Sequence, residues 1–219
     1  MILHVTDFHA NLRWYRWLVS VSSKYELICL TGDILDLNLQ RPQSKQLDLI
    51  VPLLKSVEAP LAIVSGNHDS LAGAGPRLEH GSWLNEVRSE NRWIDGDSFV
   101  LGGRKYRCIP WQGTYPVATA DEIWLSHMPP DAATGISKGG AGWGSFDFRE
   151  ICRAGDGPKL ALSGHVHDPR SWNAQIGHTW SLNPGFAWRT AQPKHCVIDF
   201  ARGVVALLDV SGDRDVLEL

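Results

Sequence analysis

What this chain has little of narrows its class before any motif is read. Its four cysteines, Cys29, Cys108, Cys152 and Cys196, stand far apart with no close pair, so the sequence outlines neither a thiolate zinc site nor a disulfide framework. They read as buried free thiols. No apolar run approaches the roughly 20 residues a membrane-spanning helix needs. The chain also passes from Met1 straight into a strand-like run, without the basic and apolar regions of a secretory signal. The expected location is the cytoplasm, with no membrane partner. Lys and Arg, 21 against 24 Asp and Glu for a net charge of -3, are scattered rather than clustered. A protein that grips long nucleic acid by its phosphates carries a basic stripe, so a nucleic-acid polymer is not the expected partner.

What is present points to a globular α/β protein. A chain of 219 residues, 43% hydrophobic, can bury a core that needs no staples, and one domain over residues 1–219 is expected. The run Leu27 to Leu30 reads as a buried strand and opens into Thr31-Gly32-Asp33-Ile34-Leu35-Asp36. Asp33 therefore stands just past a strand's carboxyl end, where open α/β sheets place their chemistry. Four other apolar runs end in the same way. Ile2 to Thr6 leads to Asp7-Phe8-His9, Leu61 to Ser65 to Gly66-Asn67-His68-Asp69, Ile123 to Ser126 to His127, and Leu160 to Ser163 to Gly164-His165-Val166-His167. Neighbouring strands would bring these side chains to one rim.

Between these runs, Leu12 to Ser23 and Ser44 to Val57 have the apolar spacing of helices packed on a sheet, with Asn11 a candidate cap and Pro52 expected to kink or break the second. Strand, helix, strand, helix, strand is the α/β order. From Ser82 the pattern changes to a short helix at Trp83 to Val87 and short strands at Arg92 to Ile94, Ser98 to Leu101 and Lys105 to Ile109. With Gly102-Gly103 as a hairpin turn, an antiparallel section is expected. A long loop from Met128 to about Ser145 carries a glycine cluster and reads as a flexible lid. A helix at Phe146 to Ala154 and strands at 159–162, 172–176, 178–181, 195–200 and 204–210 complete the reading.

The strand-end residues offer a metal hard oxygens from Asp7 and Asp33, imidazoles from His9, His127, His165 and His167, and a carbonyl oxygen from Asn67. This mixed N/O set without thiolate suits divalent Mn, Fe or Zn. Seven ligands exceed one tetrahedral ion but serve two ions that share a bridging carboxylate, for which Asp33 on a central strand is the natural choice. Such a pair clamps a phosphoryl group and makes hydroxide at neutral pH.

In order, Asp7-x-His9, Gly32-Asp33-x-x-Asp36, Gly66-Asn67-His68-Asp69, His127 and Gly164-His165-x-His167 resemble the five motifs of the calcineurin-like metallophosphoesterase superfamily, across roughly three-quarters of the chain. The resemblance implies a two-layered mixed β sandwich flanked by helices, four layers in all, with a dimetal site at the strands' carboxyl ends. It assigns Asp7, His9, Asp33 and His167 to one metal and Asp33, Asn67, His127 and His165 to the other. His68 would serve the leaving oxygen as hydrogen-bond donor or general acid with Asp69 holding its ring, and Asp36 would brace the ligands from behind. The implied reaction is hydrolysis of small, nucleotide-like phosphodiesters, and of phosphomonoesters, by hydroxide bridging the metals. A nuclease and a catalytically silent metal-binding scaffold are the competing readings. The first is disfavoured by the acidic balance, and the second by the presence of every ligand and of His68.

Other residues keep plainer readings. His4, His80, His178 and His195 read as surface or hydrogen-bonded core residues, and Arg13 and Lys138 as solvated charges. Trp111, Trp143, Trp172, Trp180 and Trp188 fall near segments that should border the site, where core packing outweighs stacking on a base. Asn183-Pro184-Gly185 is similar to a turn in small bacterial superfamily members that cleave phosphodiesters.

Overall fold

Apolar runs without alternation are what strands need when both faces are covered, and the first three runs show why. Residues Ile2–Val5 (β1), Leu27–Thr31 (β2) and Leu61–Val64 (β3) pair in parallel, and every residue in them is buried. Side chains point alternately to two cores: Leu3, Val5, Ile28, Leu30, Leu61 and Ile63 to one side, and Ile2, Leu27, Cys29, Ala62 and Val64 to the other. Each large aliphatic side chain among them contributes about 1.5–3 kcal/mol when fully buried. The first side is covered by helices Leu12–Val21 (α1) and Gln43–Lys55 (α2), which join the strands as two βαβ crossovers. Asn11 caps α1 as its sequence position suggests, its side chain accepting from Arg13 N at 3.2 Å.

The computed structural model describes residues 1–70, 81–119, 121–209 and 214–219. Arg92–Trp93 (β4) adds to β3 in parallel, then Ser98–Leu101 (β5), Arg104–Ile109 (β6), Glu122–Ser126 (β7), Leu160–Leu162 (β8), Asn173–Ile176 (β9) and Thr179–Leu182 (β10) build a second sheet in the order β5-β6-β7-β8-β10-β9. His195–Asp199 (β11), Val204–Leu208 (β12) and Arg214–Glu218 (β13) return to the first, which reads β13-β12-β11-β1-β2-β3-β4. Between the sheets, Ile2, Leu27, Cys29 and Val64 meet Tyr106, Cys108, Ile123, Leu125 and Leu162. Helix Phe146–Ala154 (α3) closes the outer face of the second sheet through Phe148 and Cys152 against Trp124 and Ala161. The expected helix–sheet–sheet–helix sandwich is present.

Three expectations are corrected. Helix α2 runs through Pro52 without a break, because Pro52 and Asp48, whose carbonyl loses its partner, both lie on the exposed side where water can bond it. Only β5 and β6 of the expected antiparallel section pair that way; β4 and β7 join their neighbours in parallel. The loop after β7 is bonded along its length rather than poised as a lid, with Asp131 N donating to Ser145 O, Trp143 N to Gly135 O and Lys138 N to Asp168 O. A Cβ at Gly144 would lie 2.6 Å from Asp131 Cα, so this glycine permits close packing. The end of the strand expected at 204–210 lies outside the described residues. Among the described residues all four cysteines are buried and free, and no helix is long and apolar enough to cross a membrane.

Candidate metal centre

Parallel strands β1, β2 and β3 end side by side, and their loops bond directly to one another. Asp7 N donates to Gly32 O at 3.1 Å, His9 N to Asp33 O at 2.9 Å and His68 N to Asp33 Oδ1 at 2.9 Å. Asp7, His9, Asp33 and His165 all take positive φ, from 43° to 68°, a conformation that costs energy in residues with side chains and gathers at functional sites. Gly32, at φ 86°, makes the turn that lets the His127 ring lie against its Cα; a Cβ there would overlap the imidazole.

All seven expected ligands come together, in two sets. In the first, His9 Nε2 lies 3.0 Å from His167 Nε2, 3.8 Å from Asp7 Oδ1 and 3.7 Å from Asp33 Oδ2. In the second, Asn67 Oδ1 lies 3.2 Å from His127 Nε2 and 2.9 Å from His165 Nδ1, and His127 Nε2 is 3.2 Å from Asp33 Oδ1. Asp33 thus turns one oxygen to each set. Asp7 Oδ1 is buried without a hydrogen-bond partner, and two ring nitrogens face each other across the first set. An unpartnered carboxylate oxygen among clustered imidazole nitrogens and carboxylates is what a cation would satisfy, so these residues fit divalent ions.

The carboxylates and imidazoles also act on one another's charge. Burial alone would raise Asp7 and Asp33, yet the surrounding histidines hold both carboxyls below the usual range. Burial opposes charge on His127, but the Asp33 carboxylate outweighs it and lifts the imidazole to about 9. His127 Nδ1 donates to the Thr31 carbonyl at 2.7 Å, which aims Nε2 at Asp33 and Asn67 in the manner of an oriented ligand. Burial and the neighbouring His127 lower His165 to about 4.

His68 stands beside the first set, its ring 4.6 Å from that of His9. The expectation that Asp69 holds this ring is corrected. Asp69 is wholly buried and its carboxylate accepts from Ile34 N at 3.0 Å, Leu35 N at 2.8 Å and Gly66 N at 2.7 Å, tying the second and third strand-end loops together. The carboxylate facing His68 belongs to Asp36, whose Oδ1 is 3.3 Å from Nδ1, and Leu37 N donates to the same nitrogen at 3.2 Å. Gln46, absent from the sequence reading, holds Asp36 by accepting from its N at 2.9 Å and donating to its O at 2.8 Å.

Asn183 matters more than its turn motif announced. Its buried Nδ2 lies 2.9 Å from Gly164 O and 3.0 Å from Val166 O, setting the loop that carries His165 and His167. Trp111 packs against His127 and His165, Trp143 lines a depression with His165 and His167, and Trp188 adjoins Phe186, which contacts His167. Trp172 and Trp180 belong to the packing between and beside the sheets. His4 is buried with Nε2 2.9 Å from Thr31 Oγ1, and His178 and His195 bond backbone carbonyls, as their plain readings expected. His80 lies outside the described residues. Lys138 is a surface charge paired with Asp168 at 2.9 Å, and Arg13 is exposed on α1.

Comparison with curated proteins finds no match. Among solved structures, the protein TT1561 of Thermus thermophilus superposes with a TM-score of 0.59 at 17% identity, over 99% of this chain and 97% of that one. A novel archaeal phosphodiesterase gives 0.51 at 16%, over 100% and 99%. Purple acid phosphatase PPD1 from yellow lupin gives 0.59 at 13%, over 99% of this chain but 53% of its own. At such identities the likeness is one of fold. The family itself is shown by sequence: the calcineurin-like phosphoesterase model matches residues 1–169, and the chain belongs to that family.

Proposed function

We propose that the protein is a dinuclear-metal phosphoesterase acting on small phosphodiesters, with phosphomonoesters as a second substrate class. One observation carries the reading: Asp33 offers Oδ2 to one cluster of donors and Oδ1 to another. Asp7, His9, Asp33 and His167 would hold one ion, and Asp33, Asn67, His127 and His165 the second. Such ions, Mn, Fe or Zn, supply Lewis acidity toward phosphoryl oxygens and bring the pKa of a water near neutrality.

The protein's own groups do the rest. With Nδ1 of His68 accepting from Leu37 N–H, the ring's proton stands on Nε2, from which it can hydrogen-bond the leaving oxygen. Asp69 keeps the loops of Asp33 and His68 in register, so the bridging carboxylate and the proton donor move as one unit. A net charge of -3 with no basic stripe favours a small ester over a polymer, used in the cytoplasm.

The test is hydrolysis of bis(p-nitrophenyl) phosphate and p-nitrophenyl phosphate by metal-stripped protein with and without added Mn²⁺. Diester cleavage should return with the metal. It should fall more than about 100-fold in Asp33→Asn, since even residues behind a ligand cost 10- to 100-fold, and less steeply in His68→Ala. Folded protein that cleaves neither ester with any of the three metals would sink the reading.

A further inference from the structure

Beside the second donor set lies a cavity of about 560 Å³ that the ligands leave open, a volume in the range of small-molecule sites. It runs from His127 and Ser126 at the end of β7, along residues 110–115, to Ser145 and Asp147 at the start of α3. Trp111 belongs both to this cavity and to the metal centre, its ring centroid 5.5 Å from that of His127 and 5.3 Å from that of His165. The indole is only partly covered.

The turn that presents Trp111 is held firmly. Trp111 N donates to Ser65 Oγ at 3.2 Å, Gly113 N to Pro110 O at 2.9 Å, and Gln112 between them takes φ 59°. A side-chain residue in that conformation costs of order 1 kcal/mol and persists where its surroundings require it. The lining chemistry is selective too. No lysine or arginine is among the described lining residues, and Asp147 contributes a carboxylate while Gln112 contributes an amide. Asp147 would repel a group that carries a further phosphate, whereas a neutral ring with polar edges would be stacked and hydrogen-bonded.

Position decides which part of a diester this is. His68 lies against His9 of the first set, and Trp111 lies against the two imidazoles of the second. We infer that the cavity binds the ester group that stays on phosphorus, an aromatic ring carried by a nucleoside or an aryl alcohol, with Trp111 stacking on it. This rests on the phosphodiester reading above. In that hydrolysis the oxygen of water bonds to phosphorus, the bond to the other alcohol breaks and that alcohol takes the proton, while the bond to the cavity-held ester is untouched.

Three diesters with p-nitrophenolate as common leaving group separate the two ends: the methyl, the phenyl and the thymidine 5′ esters, assayed with Mn²⁺-loaded protein. In Trp111→Ala the thymidine-to-methyl ratio of kcat/KM should fall about tenfold, through KM, as loss of one stacked base implies. Trp111→Phe, which keeps a ring, should retain most of the ratio. An equal fall for the phenyl ester would assign any aryl ring, and a fall confined to thymidine a nucleoside. Calorimetric titration with thymidine, which has no ester bond to cleave, should show the same tenfold weakening. An unchanged ratio and unchanged affinity in Trp111→Ala would overturn the cavity assignment and leave hydrolysis standing. Absence of diester cleavage beside Trp111-dependent thymidine binding would instead strike the hydrolytic reading.

Discussion

The two sheets contribute to the candidate metal centre in different ways. The first supplies every oxygen, from Asp7, Asp33 and Asn67, on loops bonded to each other through backbone atoms and the Asp69 carboxylate. The second supplies His127, His165 and His167, and two of these depend on the first sheet for their setting. His127 donates to Thr31 O, and His165 N donates to Asp7 Oδ2 at 3.2 Å. The first sheet is therefore a frame that holds its own shape, and the second docks imidazoles onto it. The cavity by Trp111 lies on the docking side, between β7 and α3, where fewer helices cover the sheet.

This contrast can be broken at its strongest point first. Asp69→Ala leaves three buried N–H groups without an acceptor, at about 1–3 kcal/mol each, so stability should drop on the order of 5 kcal/mol in urea unfolding. The matching change on the second sheet, Asn183→Ala, frees carbonyls that have a second lone pair for water, and its cost should be about half. Equal losses would mean that the first sheet's loops are no more self-supporting than the second's.

The next effect concerns Asp95, which joins the halves by accepting from Ser65 N at 2.8 Å while Ser65 Oγ accepts from Trp111 N. Burial pushes its carboxyl up to about 6, and its Oδ2 has no donor. A folded pKa above the unfolded one means the group's stabilisation is complete below about pH 4 and is lost as pH rises through 6. Asp95→Asn should therefore gain on wild type between pH 4 and pH 7, by up to about 3 kcal/mol at ~1.4 per pKa unit. A pH-independent difference would show that Asp95 is ionised throughout.

The smallest of the three uses the metal as the link between sheets. At a free ion concentration about 100 times Kd, binding adds roughly 2.7 kcal/mol, or about 5–10 °C in Tm for a chain of this size. Chelation should lower Tm by that amount in wild type and by little in Asp33→Asn. The same shift in both would place the stabilising ion elsewhere.

Local chemistry determined much of this protein on its own. Apolar runs with no polar alternation are strands buried on both faces, and a polar cluster directly after each run lies at a strand's end whatever the rest of the chain does. That is why all seven candidate ligands were legible from spacing and residue type, whereas the separate role of His68 came from the family resemblance. Which groups face one another was decided only by tertiary structure. Asp69 directly follows His68 whereas Asp36 belongs to a different loop, and the family resemblance implied Asp69 as the partner of the ring. Folding turned Asp69 inward to three backbone N–H groups and left Asp36 facing the ring. Likewise Asn183 reads as a turn residue until the loop of His165 closes over it, and Trp111 as one tryptophan among ten until β7 and α3 leave space beside it. Strand ends are set by near neighbours in the chain, but the partner of a side chain is set by whichever distant segment packs against it.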